Sequence, residues 1–288
     1  MALVARRPLR GFAVLAIALV VVAVGCAGRP ACPTLPVRPA GAPLVWTAQR
    51  GAATVWLVGT LHHLGADEVP EVAWAAVARG PRVATELGAG GPDPEVLAEL
   101  ARLPRGPGLD TLLPADDWYD LELYLSEVIR SAELRRARPW YALSMVTRRA
   151  APGPSPSMDE AIAARAVAAG VAVDALESWR EQLTAVDRAI SIADLREALH
   201  ARATMRCDAA AIAAAYRAGD DGELAIRLNV AGTGALLTDR NRRWLPAIEA
   251  LADGGGGVIA VGVGHLLGAD SLPALLTARG FTLTRVAR

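Results

Sequence analysis

Two short segments carry the most chemistry for their length. His62 and His63 lie in VWLVGTLHHLG (55–65), and His265 lies in VIAVGVGHLLG (258–268). Each reads as a continuous apolar run ending in Gly-x-x-His. A Val/Ile/Leu run of this kind predicts a parallel strand buried on both faces, and the carboxyl ends of such strands are where open α/β sheets place their ligands. Glycine at Gly59, Gly262 and Gly264 is expected to let the backbone turn and to leave room beside the imidazoles. Glutamates end two further strand-like runs: Glu86 stands at the end of RVATEL (82–87), and Glu177 follows VAVDAL (171–176). Imidazoles and carboxylates delivered to neighbouring strand ends suit either a divalent metal ion or proton transfer.

The elements that must position these groups follow in order. Leu44–Ala48 and Thr54–Gly59 read as a hairpin, and Pro70 opens a helix over Glu71–Ala78. Strand Arg82–Leu87 precedes helix Glu95–Arg102. Amphipathic helices are expected over Asp116–Arg130 and Tyr141–Arg149, with Pro139-Trp140 between them. Met158–Ala169 is helical with Gly170 at its C-terminus, and strand Val171–Leu176 follows. Residues 178 to 252 read as almost wholly helical, with breaks near Ser191, Gly219–Gly222 and Gly232–Gly234. Gly254–Gly257 is a loop leading into strand Val258–Val263, helix Leu272–Ala278, Gly280 and strand Phe281–Val286. The expected class is α/β (α+β): a mixed central sheet flanked by helices, with a large helical insertion. The strand order is not legible from the pattern.

The first 26 residues read as an export signal. Arg6, Arg7 and Arg10 precede an apolar stretch, Phe12–Val24, of 13 residues, shorter than the roughly 20 needed to span a bilayer. The stretch closes on Ala23-Val24-Gly25-Cys26, which resembles the bacterial lipobox, with Cys26 as the lipid-modified first residue of the mature protein. An ordinary secretory signal cleaved near Ala27 or Ala31 is the other reading. The lipobox reading places the chain as a membrane-anchored lipoprotein, at the outer membrane or facing the periplasm in a Gram-negative cell. Residues 27–43, rich in Pro, Gly and Ala, form a tether, and 44–288 form the folded domain.

The 30 basic and 30 acidic residues balance, every basic residue is arginine, and no basic stripe stands out, so nucleic acid is not an expected partner. With Cys26 assigned to lipid, only Cys32 and Cys207 remain. An exported compartment permits a disulfide between them, two unpaired thiols being the alternative; no C-x-x-C spacing exists for a cysteine zinc site.

The motifs in order resemble the TraB/GumN family, which includes the TIKI proteins, over about residues 43–288. Those motifs are Gly59-Thr60-Leu61-His62, Glu86 at a strand end, Arg138-Pro-Trp-Tyr, Met158-Asp159, Leu176-Glu177 with Gln182, Arg240-Asn241, and Val261-Gly262-Val263-Gly264-His265-Leu266-Leu267-Gly268. His63 departs from the pattern, where a smaller aliphatic residue is usual. The resemblance implies an erythromycin-esterase/ChaN-like fold and a hydrolase, TIKI members being metal-dependent proteases. It points to His62, Glu86 and His265 as metal ligands for Mn, Co or Zn and as catalytic residues, with Glu177 and Arg240 beside them. His63, Asn241 and Gln182 are expected to orient substrate or to hold the catalytic groups by hydrogen bonds. The substrate class is a peptide or small molecule. Glu86 as a general base without any metal remains open, as does a non-catalytic lipoprotein binding a metal complex or peptide in the same cleft. Glu177 has a second reading as the cap of a helix starting near Ser178. Arg240 has one as a carboxylate's partner. His200, in LREALHARA, reads as solvated. Trp118, Tyr119, Tyr124 and Tyr141 read as core or rim aromatics.

Overall fold

The strands assemble into one six-stranded sheet of order β4-β3-β5-β2-β1-β6. They are β1 (Val45–Arg50), β2 (Ala53–Thr60), β3 (Arg82–Thr85), β4 (Ala172–Ala175), β5 (Gly257–Gly262) and β6 (Thr282–Arg285). The computed structural model describes residues 31–36, 39–234 and 236–287. The export signal and Cys26 therefore lie outside the described residues, as does part of the tether.

The sheet is mixed. β1 is antiparallel to β2 and to β6, whereas β2, β5, β3 and β4 run parallel. The parallel core is apolar because it is covered on both faces: Leu57 and Val58, and Val258 to Val261, are successive residues and all buried. The chain leaving β3 goes on to the β4 edge, whereas the chain leaving β5 goes to the β6 edge. Their connections diverge between the two strands, and that divergence opens a crevice at the carboxyl ends.

Thirteen α-helices occur among the described residues. They are α1 (Glu71–Arg79), α2 (Pro94–Leu100), α3 (Leu109–Leu112), α4 (Ala115–Leu125), α5 (Ser131–Leu134), α6 (Pro139–Ala150), α7 (Met158–Ala168), α8 (Trp179–Ala189), α9 (Ile192–Ala201), α10 (Met205–Ala218), α11 (Asp221–Arg227), α12 (Thr238–Asp253) and α13 (Leu272–Ala278). α1 packs with α7, and α12 with α13, and both pairs lie against the sheet. The helical insertion has its own core, in which Leu121 and Leu125 of α4 meet Val146 of α6 and Leu195 and Leu199 of α9. Trp140 sits at the start of α6 beside Pro139 and donates Nε1–H to the Leu100 carbonyl at 3.0 Å.

Three expectations are refined. The helix expected over 116–130 stops at Leu125, where Ser126 turns its hydroxyl back onto the Leu123 carbonyl at 2.9 Å and competes with the helical ladder. An unforeseen break at 202–204 separates α9 from α10. Gly59, Gly262 and Gly264 are not among the positive-φ glycines, so smallness, not an unusual turn, is what those positions use. Cys32 is disulfide-bonded to Cys207 at the start of α10, and Arg285 holds the Ala42 and Pro43 carbonyls. The end of the tether is thus fastened to the domain.

Candidate active site

Strand register brings the nominated residues to one corner. Thr60 aligns with Gly262 between β2 and β5, and Thr85 aligns with Ala260 of β5 and Ala175 of β4. Just beyond these ends, the Glu177 amide donates to the Glu86 carbonyl at 3.0 Å, which sets the two glutamates side by side. The two Gly-x-x-His segments then part. After Gly262 a 3-10 turn, Val263–Leu266, folds His265 under the sheet end, where it is 2% exposed and lies 4.4 Å from the Trp244 ring. After Thr60 a turn closed by the Leu64 amide on the Leu61 carbonyl leaves the His62 side chain 73% exposed.

Arg240, from α12, organises the buried half. Its Nε and Nη2 donate to Glu177 Oε1 at 2.9 and 2.5 Å, and Nη2 also donates to Glu86 Oε2 at 2.5 Å. Nη1 donates to the Leu236 carbonyl and to His265 Nε2, both at 3.1 Å. The guanidinium lies 4.7 Å from the centre of the Trp244 ring. Asn241 fixes the His265 tautomer. Its Nδ2 donates to the carbonyls of His265 and Asp270, so its Oδ1 must accept, and His265 Nδ1–H is the donor at 2.6 Å. His265 Nε2 is therefore the bare nitrogen that receives Arg240. Burial pushes this imidazole down to about 4, against the pull of Glu86, so it is neutral at pH 7. Burial alone would push the Glu86 carboxyl up. His265, Arg240 and the Gly262 amide, which donates to Oε1 at 2.7 Å, outweigh it and hold Glu86 down at about 2. Gly262 is small for this reason: a Cβ there would come within 3.2 Å of Glu86 Oε1.

The open half centres on His62. Nδ1 lies 2.8 Å from Asp159 Oδ2, and the other oxygen of Asp159 accepts the Thr60 hydroxyl. The hydrogen bond to Asp159 is the main cause that raises the His62 pKa above its ordinary value, although solvent screens a pair so exposed. His62, Glu86, Asp159, Trp179 and Gln182 line a cleft of about 810 Å³ whose other wall is the small, apolar face of α7 and the Gly88–Pro92 loop. Gln182 reaches Glu86 Oε2 with Nε2 at 3.5 Å.

Not every nominated residue joins this group. His63 turns away towards the Ala209 carbonyl on α10, and burial lowers its pKa. Glu177 does not cap α8; Ser178 does so with Glu181, and the Glu177 carboxylate goes to Arg240. His200 is 56% exposed but sits 2.7 Å from Asp117. Thr60 and Asp159 stand in the motifs that resemble the family, but the sequence attaches no role to either and does not show that they meet. Asp159 stands in the first turn of a helix, where an acid is ordinary, and its link to Thr60 spans 99 residues.

The expected ligand set for Mn, Co or Zn does not fit this arrangement. Among the described residues no group of three His, Cys, Asp or Glu side chains is placed to hold a metal ion. Glu86 and His265 already direct their lone pairs at Arg240 and Gly262, and the Nδ1 of His62 is taken up by Asp159.

The architecture defines an α/β protein with an arginine-centred cluster at parallel strand ends, which faces a cleft through Glu86 beside His62. The chain belongs to the TraB/PrgY/gumN family, whose model matches residues 44–285. No curated protein and no solved structure gives a significant match.

Proposed function

We propose that this chain is a hydrolase of amide or ester bonds, with His62 as its proton-transfer group, held at a membrane by lipid on Cys26. The observation that carries the reading is the His62–Asp159 pair at the mouth of the cleft, with one ring nitrogen against a carboxylate and the ring itself open to solvent. Such a pair takes a proton from water as that water attacks a carbonyl carbon. It returns the proton to the departing amine or alcohol as the tetrahedral intermediate collapses. Asp159 lies against the ring nitrogen and stabilises the imidazolium, while Thr60 keeps its carboxylate turned to the ring. Glu86, ionised and braced by Arg240, supplies a fixed negative charge and an acceptor to the cleft. No step is assigned to a metal ion.

Hydrolysis of fluorogenic peptide and nitrophenyl ester panels tests this. His62→Ala is expected to lower kcat/KM by roughly 10²- to 10⁴-fold. Because only the neutral imidazole accepts a proton, the rate rises with pH through the His62 pKa. Asp159→Asn moves that limb down towards 6.5, the ordinary value. Turnover indifferent to His62→Ala sinks the assignment. Saturable peptide binding without turnover would instead make the cleft a non-catalytic binding site.

A further inference from the structure

The cluster beneath the cleft already contains a cation. All five N–H groups of Arg240 are committed, to Glu177, Glu86, the Leu236 carbonyl and His265 Nε2, at distances of 2.5 to 3.1 Å. The Trp244 ring covers the guanidinium, and Arg240 is 5% exposed. A divalent ion shared by Glu86, Glu177 and His265 would need the same lone pairs at about 2.0–2.2 Å. Guanidinium and metal cannot both point at one set of donors. The charge count argues the same way. Two carboxylates face two arginines, since Arg243 Nη2 lies 3.5 Å from Glu177 Oε2, and His265 is neutral. That cage is balanced, and a dication added to it would leave a buried excess of positive charge with no counter-ion.

We infer that Arg240 is the resident cation of this site, standing where a catalytic metal would bind, with Glu86, Glu177 and His265 serving as its cage. The guanidinium pairs with both glutamates and donates to the His265 nitrogen that Asn241 leaves bare, and it leaves no donor free for substrate. Its role is positioning. This inference goes beyond the hydrolase reading and stands whether or not turnover is found, because its test does not read activity.

Cobalt(II) is the probe, followed by its visible absorption and by equilibrium dialysis, with zinc and manganese as parallel titrants. The wild-type chain is expected to show no stoichiometric cobalt site at the cluster. Arg240→Leu removes the cation and leaves two carboxylates and an imidazole facing an apolar side chain. It is expected to gain cobalt affinity by at least about tenfold, with a visible band that disappears when Glu177→Gln is added. Arg240→Lys keeps a positive charge and stays without the band, a difference that a merely structural role would not produce. If Arg240→Leu is poorly folded, its urea midpoint read with and without cobalt replaces the spectrum: cobalt should raise it, and should not raise that of the wild type. One equivalent of metal bound by the wild type and lost in His265→Gln or Glu86→Gln overturns the inference. So does an Arg240→Leu variant that is folded and gains no site.

Discussion

At the scale of single residues, the site is two charge systems meeting at Glu86. The buried one resists protonation and the open one attracts it. Their signs make a test. The His265 imidazole is held at about 4 in the fold against 6.5 when unfolded, and the Glu86 carboxyl at about 2 against 4.5. In both cases the unfolded chain binds the proton more readily, so stability is complete above 6.5 and is lost as pH falls, first through the histidine window and then through the glutamate one. His62 has the opposite sign, because its folded pKa is raised, but its exposure makes its share small. Urea midpoints at pH 7, 5.5 and 4 should fall in that order. His265→Gln should flatten the upper part of the slope; an unchanged slope would mean that the ring is not buried as a neutral group. His62, Glu86, His265 and Glu177 were legible because each follows an apolar run that reads as a strand, although β4, before Glu177, is a half-exposed sheet edge and not a buried strand. Asp159 was legible only as part of a motif and without a role, since its partner is fixed by how α7 docks. The pairing of Arg240 with Glu86 or Glu177 was legible as well, but not its place at the centre, because a sequence pattern lists ligand types without showing which cation they surround.

At the scale of elements, the strands were legible to within a residue or two. Unbroken apolar runs such as VIAV in β5 have no other satisfactory place than between two layers. The order of those strands is set by crossovers that leave no local trace, and the end of α4 depended on one serine hydroxyl. The Gly254–Gly257 loop reads from sequence only as a loop, yet it sets the register of β5 against β2 and β3. Gly256 has φ +94, and a Cβ there would lie 2.2 Å from the Thr54 carbonyl oxygen. Neither problem can be relieved by a side-chain rotation. Gly256→Ala is therefore expected to cost about 1–3 kcal/mol from the backbone conformation alone, plus the displacement of β2. The measurement is a melting temperature beside Gly255→Ala, where φ is also positive but nothing lies within 4 Å. Equal losses at the two positions would show that the close approach to Thr54 is immaterial.

At the scale of the whole molecule, the two ends of the chain's chemistry meet through sulfur. Cys32, in the segment before β1, is joined to Cys207 across 175 residues. A disulfide suits an oxidising compartment, which agrees with the export signal read from Arg6 to Cys26 and with the proposal that Cys26 carries lipid. The bridge closes a long loop, so its loss should be felt as lost stability of the entire domain: about 2–4 kcal/mol, or on the order of 5–10 °C in melting temperature for a chain of this size. Cys207→Ser, Cys32→Ser and treatment of the wild type with reductant should give the same shift, and reductant should add nothing to either variant. Radiolabelled palmitate should enter the wild type and both of these variants in cells, because the proposed acceptor is Cys26, and should be absent from Cys26→Ser, which in turn keeps the full melting temperature of the bridged domain. Labelling that disappears with Cys32→Ser and persists in Cys26→Ser would exchange the roles of the two cysteines. It would place the lipid on the thiol that the fold needs for its bridge, and the membrane reading and the stability reading would then fail together.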